Sequence, residues 1–345
     1  MESRLQTGVK KNLTRFGKIS ISNAHPFSKG TNGFQISPRM QELIIFAGQS
    51  NCYEKSNEIL KQFLSVDVSS AQVYRVTDLY GHQIGQEQDF NERSLPPVRS
   101  NDMLYVETDG SMILTREEGW KETKAGRIFK ASDSIRADGK PGCISHSQYL
   151  AHLGSHKTFC TQMETLIESY DTRQSQLVFI SDGAPWIRNW VEDAFPKAVS
   201  ILDFHHAAEH LHAFVEQVFK DKQAGHKWAE KQRELLLGSE VKKVIKNIQS
   251  KAALNEAAAA KLTDYYNSNI KRMNYKRYKE IGCGIIGSGA IESTHRTLIQ
   301  QRLKLSGQRW KKLGAQNMLN LRVTSMNGQW NKIIKLVKNN FVAAA

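Results

Sequence analysis

The chain has 345 residues, 40% of them hydrophobic, and a formal net charge of +14. That length predicts two or three structural units, and the apolar fraction excludes general disorder. No apolar run reaches the roughly 18 residues of a membrane span, and four scattered cysteines without a CxxC pair exclude a zinc ribbon or disulfide framework.

The start, "MESRLQTGVKKNLTRFGK", has no secretory apolar core, so a reduced, cytoplasmic protein is expected. Its charge is uneven: residues 1–100 carry +3, residues 101–219 carry −6 and residues 220–345 carry +17. A basic C-terminal third beside an acidic middle suits a polyanion held against a cation-binding centre. A solvated basic helical surface gives the same count.

Residues 12–36 hold short β-like pieces broken by Gly, Pro and Asn and predict a hairpin or irregular arm. Ser37 and Pro38 supply a helix cap and a first helical position, and Met40, Leu43, Ile44 and Ala47 follow at helical spacing through a run read as continuous to Leu64. Another helix is capped by Ser69 or Ser70 and expected to stop at Gly81. The two resemble a helix-turn-helix or an ordinary helical hairpin, and the lack of an arginine-rich second helix favours the hairpin. Residues 82–100, with Pro96 and Pro97, read as a linker.

Residues 103–150 alternate apolar and polar side chains and predict a β-meander. The stretch from Ser147 to Asp171 reads as helical. Leu177–Ile180 is a strand buried on both faces, 184–196 a helix, and Val199–Leu202 another strand. Residues 207–280 are almost wholly helical, and Gly287-Ser288-Gly289 opens a helix carrying Glu292. This order predicts an α/β fold: an RNase H-like catalytic core, a mixed sheet with flanking helices, interrupted by an all-helical insertion and preceded by a mainly helical N-terminal region. The expected boundaries are an N-terminal region at 1–100, a core at 101–205 and 281–325, an insertion at 206–280 and a tail at 326–345.

Two strands run into Asp-Gly: Asp109-Gly110 and Asp182-Gly183. Each is a turn in the bland reading. With Glu292 they also make three carboxylates on separate rigid elements, the number that a two-metal site needs for in-line displacement at phosphorus. The glycines are expected to keep metal or DNA backbone clear of side chains.

The motifs "ETDGSMILTREEGWKETKAGRIF", "VFISDGAPWI", "ILDFHHAAEHL" and "GSGAIESTHRTLIQQRLKLSGQRW" together resemble the DDE-type transposases of bacterial insertion sequences, in the Mutator-like group and closest to the Kra-type family. The resemblance covers residues 35–330. It implies that Asp109, Asp182 and Glu292 are catalytic and bind two Mg²⁺ or Mn²⁺ ions. It implies a (Cys/Asp)-x-x-His motif at Asp203 and His206, for which a structural Asp–His hydrogen bond is the alternative. His206, Glu209 and His210 also stand at helical spacing, but the pattern is not HExxH. The implied partners are transposon-end and target DNA in a homodimer or larger assembly, with no membrane and no nucleotide cofactor, in a bacterial cytoplasm near the nucleoid. Arg296, Arg302, Lys304, Arg309, Lys311 and Lys312 are candidate phosphate contacts, and Trp310 a stacking platform or a core residue. An inactive DNA-binding relative and a nuclease without strand transfer are the competing readings. A Rossmann-type enzyme lacks its GxGxxG.

Overall fold

The computed structural model describes residues 9–14, 17–22, 34, 36–87, 98–99, 102–135, 142–170 and 175–342. Strands β1 (Val9–Thr14) and β2 (Gly17–Ser22) pair antiparallel. Helices α1 (Pro38–Ser50), α2 (Tyr53–Leu64) and α3 (Ser70–Gln86) follow. Ser37 caps α1 by accepting from the Met40 N–H at 3.3 Å, and Ser69 caps α3 by accepting from the Gln72 N–H at 3.2 Å. The expected continuous run from Ser37 divides where Asn51 is extended. α3 passes through the expected stop at Gly81, because that glycine serves packing: a Cβ there would lie 2.5 Å from the Asn317 carbonyl oxygen. Most of the expected linker, residues 88–97, lies outside the described residues.

Strands β3 (Met103–Thr115) and β4 (Gly119–Lys130) form a long hairpin. A small pair, β5 (Ser134–Ile135) and β6 (Cys143–Ile144), precedes β7 (Gln148–Leu153). Then come α4 (His156–Glu168), β8 (Gln176–Ser181), α5 (Pro185–Ala194) and β9 (Val199–Leu202). The main sheet runs β7-β4-β3-β8-β9, with β4 antiparallel to both of its neighbours β3 and β7, and with β8 and β9 parallel to β3. β7 corrects the helix expected from Ser147. Leu150 packs with one layer while Ala151 and Leu153 pack with the other, an alternation that only a strand provides.

Helices α6 (Phe204–Val218), α7 (Lys222–Leu237), α8 (Val241–Gln249) and α9 (Glu256–Asn269) fill the expected insertion, with a 3₁₀ turn (Ile270–Arg272) and α10 (Tyr275–Tyr278). Next, α11 (Gly289–Thr294) continues into π-helical turns (His295–Gln300) and α12 (Gln301–Leu303). The chain closes with α13 (Lys312–Met326) and α14 (Trp330–Val342).

One sheet face, with Leu104, Val106, Ile128 and Phe179, packs on α4 and α5. On the other, Tyr105, Val178, Ile180 and Ile201 meet the insertion. Farther along that face, Ile113, Ala125 and Leu153 meet the helices from α11 to α13. Leu321 of α13 and Ile333, Leu336 and Val337 of α14 share a core with α1–α3. The segment expected as a tail at 326–345 therefore carries a packed helix, and the N-terminal helices close their core with the C-terminal ones. No helix of the described residues is long and apolar enough to cross a membrane.

Arg272 ties the insertion to the sheet. It is 5% exposed, and its guanidinium donates to Ser181 Oγ at 2.7 Å, the Ile201 carbonyl at 3.2 Å and Asn269 Oδ1 at 3.2 Å. Arg272→Met is expected to remove about 2–4 kcal/mol of stability by orphaning these acceptors. A urea midpoint equal to wild type at equal slope would contradict this.

Candidate functional site

By the two-residue period of β3, Tyr105, Glu107, Asp109 and Ile113 share a face. Insertion helices cover Tyr105 and C-terminal helices cover Ile113, so Glu107 and Asp109 fall at the seam between them. β3 pairs with β8 only from Met103 to Glu107. β3 itself runs on, with Asp109 opposite Ala125 of β4 and Gly110 opposite Lys124. Asp109 is thus mid-strand, not at the strand end expected for it. The end that exposes it belongs to its neighbour β8, whose last residue is Ser181.

Asp182 follows that residue, and its Oδ1 accepts from the Ala184 N–H at 3.0 Å. Asp203 follows the end of β9 and caps α6, accepting from the His205 N–H at 2.7 Å. Three adjacent strands deliver an aspartate at one edge.

Glu292 arrives from α11. Glu107 Oε2 accepts from the Ile291 N–H at 2.7 Å, and Arg127 Nη1 donates to the Ala290 carbonyl at 2.9 Å. Glu107 and Arg127 are directly opposed on β3 and β4, so one cross-strand pair grips the first turn of the helix that carries Glu292. Ser288 Oγ donates to Asp203 Oδ2. Gly287 allows this approach: a Cβ there would lie 2.4 Å from the His205 ring.

Together these side chains line a cleft of about 120 Å³ formed by Thr108, Asp109, Asp182, Asp203, His206, Glu209, Ser288 and Glu292. Five are acidic and none is Lys or Arg. The crowding shows in their proton affinities. Burial raises the Asp182 carboxyl above its ordinary range, and the Asp109 charge adds to the rise. Burial pushes Glu107 up to about 8, opposed by the Ile291 hydrogen bond and Arg127 and reinforced by Asp203 and Glu292. A set of oxygen donors with surplus negative charge suits a hard divalent cation such as Mg²⁺ or Mn²⁺. Among the described residues, no three His, Cys, Asp or Glu side chains yet form a group that holds a metal ion. Asp109 Oδ1 accepts from the Gly110 N–H at 2.7 Å, and Asp182 Oδ1 from the Ala184 N–H, which leaves the second oxygen of each outside these local bonds.

The predicted triad, Asp109, Asp182 and Glu292, and the auxiliary Asp203 and His206 all line this cleft. No Asp203–His206 hydrogen bond forms among the described residues. His206 Nε2 lies 3.2 Å from His210 Nε2, and its Nδ1 3.5 Å from Glu209 Oε2. The glycines after the aspartates have a different role from the one expected. A Cβ at Gly110 would lie 2.1 Å from Glu122 Oε1, and one at Gly183 2.5 Å from the Tyr265 ring, so protein side chains occupy both spaces.

Of the predicted DNA contacts, Arg296, Lys304, Arg309 and Lys311 are exposed, and Lys312 pairs with Glu118. Arg302 and Trp310 need correction. Arg302 is 1% exposed, lies between the Tyr53 and Trp310 rings at 4.7 and 4.9 Å, and donates to the Gly48 carbonyl at 3.0 Å. Trp310 is 9% exposed and donates to the Leu303 carbonyl. Trp310 packs with Leu303 and Ala315, and Arg302 is held by the two rings and the Gly48 carbonyl, so neither presents itself on the surface as a backbone contact or open platform.

Three site residues escaped the sequence reading. Buried His295 places Nε2 3.2 Å from Asp109 Oδ2. Its three-residue spacing from Glu292 on a helix was the available signal. Glu107 is two residues before Asp109, and Arg127 is its cross-strand partner. A lone carboxylate inside the apolar run "MLYVETDG" was the signal for Glu107; nothing local marked Arg127.

A model of the Uncharacterised protein family (UPF0236) matches residues 34–340. A protein of Streptococcus gallolyticus described as a UPF0236 protein in the vanSb 3′ region is 23% identical over 339 residues, covering 91% of this chain and 72% of that protein. Among solved structures, the Drosophila P element transposase strand transfer complex is similar with a TM-score of 0.33 and 9% identity, over 89% of this chain and 81% of that one. A likeness at that score carries no argument about fold or activity.

Proposed function

The chain belongs to the UPF0236 family, and we propose that it is a DDE-type DNA transposase working through the acidic cleft. The observation that carries this reading is the meeting of Asp109, Asp182 and Glu292, from segments far apart in sequence, in one cleft whose described lining residues include no Lys or Arg. The order β7-β4-β3-β8-β9, three antiparallel strands then two parallel, supports an RNase H-like core. The site carries this reading, and the narrower Kra-type kinship is no part of it.

The inferred cofactor is a pair of Mg²⁺ or Mn²⁺ ions. When bound, such ions activate water and stabilise the attacking and leaving oxygens of an in-line displacement at phosphorus. Asp109, Asp182 and Glu292 would hold them, with His295 Nε2 beside the Asp109 carboxylate at 3.2 Å. Arg296, Lys304, Arg309 and Lys311 hold the DNA backbone on the basic side. Hydrolysis of one strand frees a 3′-OH. Its attack on a target phosphodiester forms one P–O bond as another breaks, without a covalent protein–DNA intermediate. Joining two ends to one target requires two copies of the chain or more.

The test is incubation of the full chain with labelled duplexes bearing the element's ends and a target plasmid, in Mg²⁺ or Mn²⁺. Nicked ends and joined products are expected, and EDTA abolishes both. Nicking without joined products makes the protein a nuclease. Binding without nicking, with authentic ends supplied, makes it a DNA-binding protein and sinks the transposase reading.

A further inference from the structure

A second cavity, of about 540 Å³, lies at the far end of β3, where the N-terminal helices meet the segment between α12 and α13. That volume falls within the range of about 300–1,000 Å³ typical of small-molecule sites. Its walls include Tyr53, Arg116, Arg302, Arg309, Trp310 and Lys311, and among the described residues that line it none is Asp or Glu. Arg302 is the informative member. It is buried, its charge faces two aromatic rings rather than a carboxylate, and its Nη2 has no hydrogen-bond acceptor among the described residues. A buried cation without an anionic partner is costly, and three further cations at the same cavity deepen the imbalance. Behind the wall, Asp78 accepts from Asn317 at 3.0 Å and acts on Tyr53 and Tyr74 rather than on Arg302. Glu118 is engaged by Lys121 and Lys312.

We propose that this cavity is a nucleotide pocket: it takes one phosphate-bearing aromatic unit, the phosphate among Arg116, Arg309 and Lys311 and the base beside Tyr53 and the exposed Tyr74. A unit of a DNA strand and a free nucleotide share this chemistry. The strand is the source that fits the position, a step that rests on the transposase reading. Arg116 stands seven residues beyond Asp109 on the β3 line, no more than about 23 Å at the rise of an extended strand. Lys304, 3.1 Å from Ser111 Oγ, is tied to β3 between the two. A strand lying over the acidic cleft reaches the cavity within roughly seven nucleotides, taking about 3.4 Å per nucleotide.

Cys52 lines the cavity, while Cys143 is exposed elsewhere, so the chain carries its own reporter and control. The experiment uses full-length protein in EDTA, where no cleavage occurs. It measures anisotropy of a fluorescent single-stranded octanucleotide and, by peptide mass spectrometry, the rate of iodoacetamide labelling at Cys52 and Cys143. The octanucleotide is expected to slow labelling at Cys52 and not at Cys143. Arg309→Glu and Arg116→Ala are each expected to weaken octanucleotide binding by at least about fivefold. Both residues are exposed, and a matching circular dichroism spectrum separates lost binding from lost fold. Deoxyadenosine monophosphate slowing Cys52 labelling as well as the octanucleotide makes a free nucleotide the occupant and overturns the strand assignment. Equal protection by inorganic phosphate reduces the cavity to an anion site and overturns the proposal, as does unprotected Cys52. Since nothing here depends on cleavage, a failed nicking assay with Cys52 protected would sink the transposase reading and leave the pocket.

Discussion

Asp182→Asn is expected to leave the protein folded and bound to DNA while strand cleavage falls by at least about a hundredfold. The size follows from the several kcal/mol that metal polarisation supplies to phosphoryl chemistry, at roughly 1.4 kcal/mol per factor of ten. Asparagine keeps the side-chain shape and the oxygen that accepts from the Ala184 N–H, so the turn into α5 persists. What it lacks is the negative charge. Asp182 is also the carboxyl that burial and Asp109 together push upward, so neutralising it relieves repulsion in the empty cleft. The variant should therefore be at least as stable as wild type without divalent ions and should gain less from them, a linkage readable as melting temperature against Mn²⁺ concentration. Cleavage at the wild-type rate would make Asp182 a turn residue. Equal stabilisation by Mn²⁺ in both proteins would remove it from the metal site.

Local pattern and capping chemistry marked most of the elements in the sequence. Ser37 and Ser69 cap helices as their side chains dictate, and the meander, the strands β8 and β9 and the long helical insertion follow periodicity. The errors fall where distant contacts override local preference. Gly81 lies inside α3 because Asn317 presses on it from α13. Gln148–Leu153 is an edge strand because β4 offers a hydrogen-bonding partner. α14 belongs to the core because α1 and α3 leave an apolar face for it.

The site shows the same division. Asp109, Asp182 and Glu292 were visible as residues, but the reason they meet was not. Asp109 is open because β8 ends beside it while β3 continues, and the relative lengths of two paired strands are not written in either one. Arg302 was misread because an arginine in a basic run looks solvated until Tyr53, some 250 positions earlier, is seen against it.

Glu107→Ala is expected to damage both fold and chemistry. Glu107 is fully buried and accepts from the Ile291 N–H, while Arg127 holds the carbonyl one residue earlier. Alanine leaves a buried N–H without its acceptor and opens a void opposite Arg127, at a cost of about 2–4 kcal/mol. Since the contact is with α11, the loss should also blur the position of Glu292 and lower cleavage by about 10–100-fold, the usual range for residues that orient metal ligands. Glu107→Gln separates these roles. It retains a carbonyl oxygen for the Ile291 N–H and nearly the same volume, so it should recover most of the stability and cleavage. A purely structural Glu107 would change the denaturation midpoint alone, with the turnover of the folded fraction unaltered. A positioning Glu107 instead lowers turnover at saturating DNA and raises the Mn²⁺ concentration needed for half-maximal cleavage, both rescued by glutamine. Arg127→Met tests the other half of the grip. It should reproduce the fall in turnover, because the Ala290 carbonyl and the Ile291 N–H fix one and the same helical turn, and releasing either lets Glu292 swing away from the aspartates.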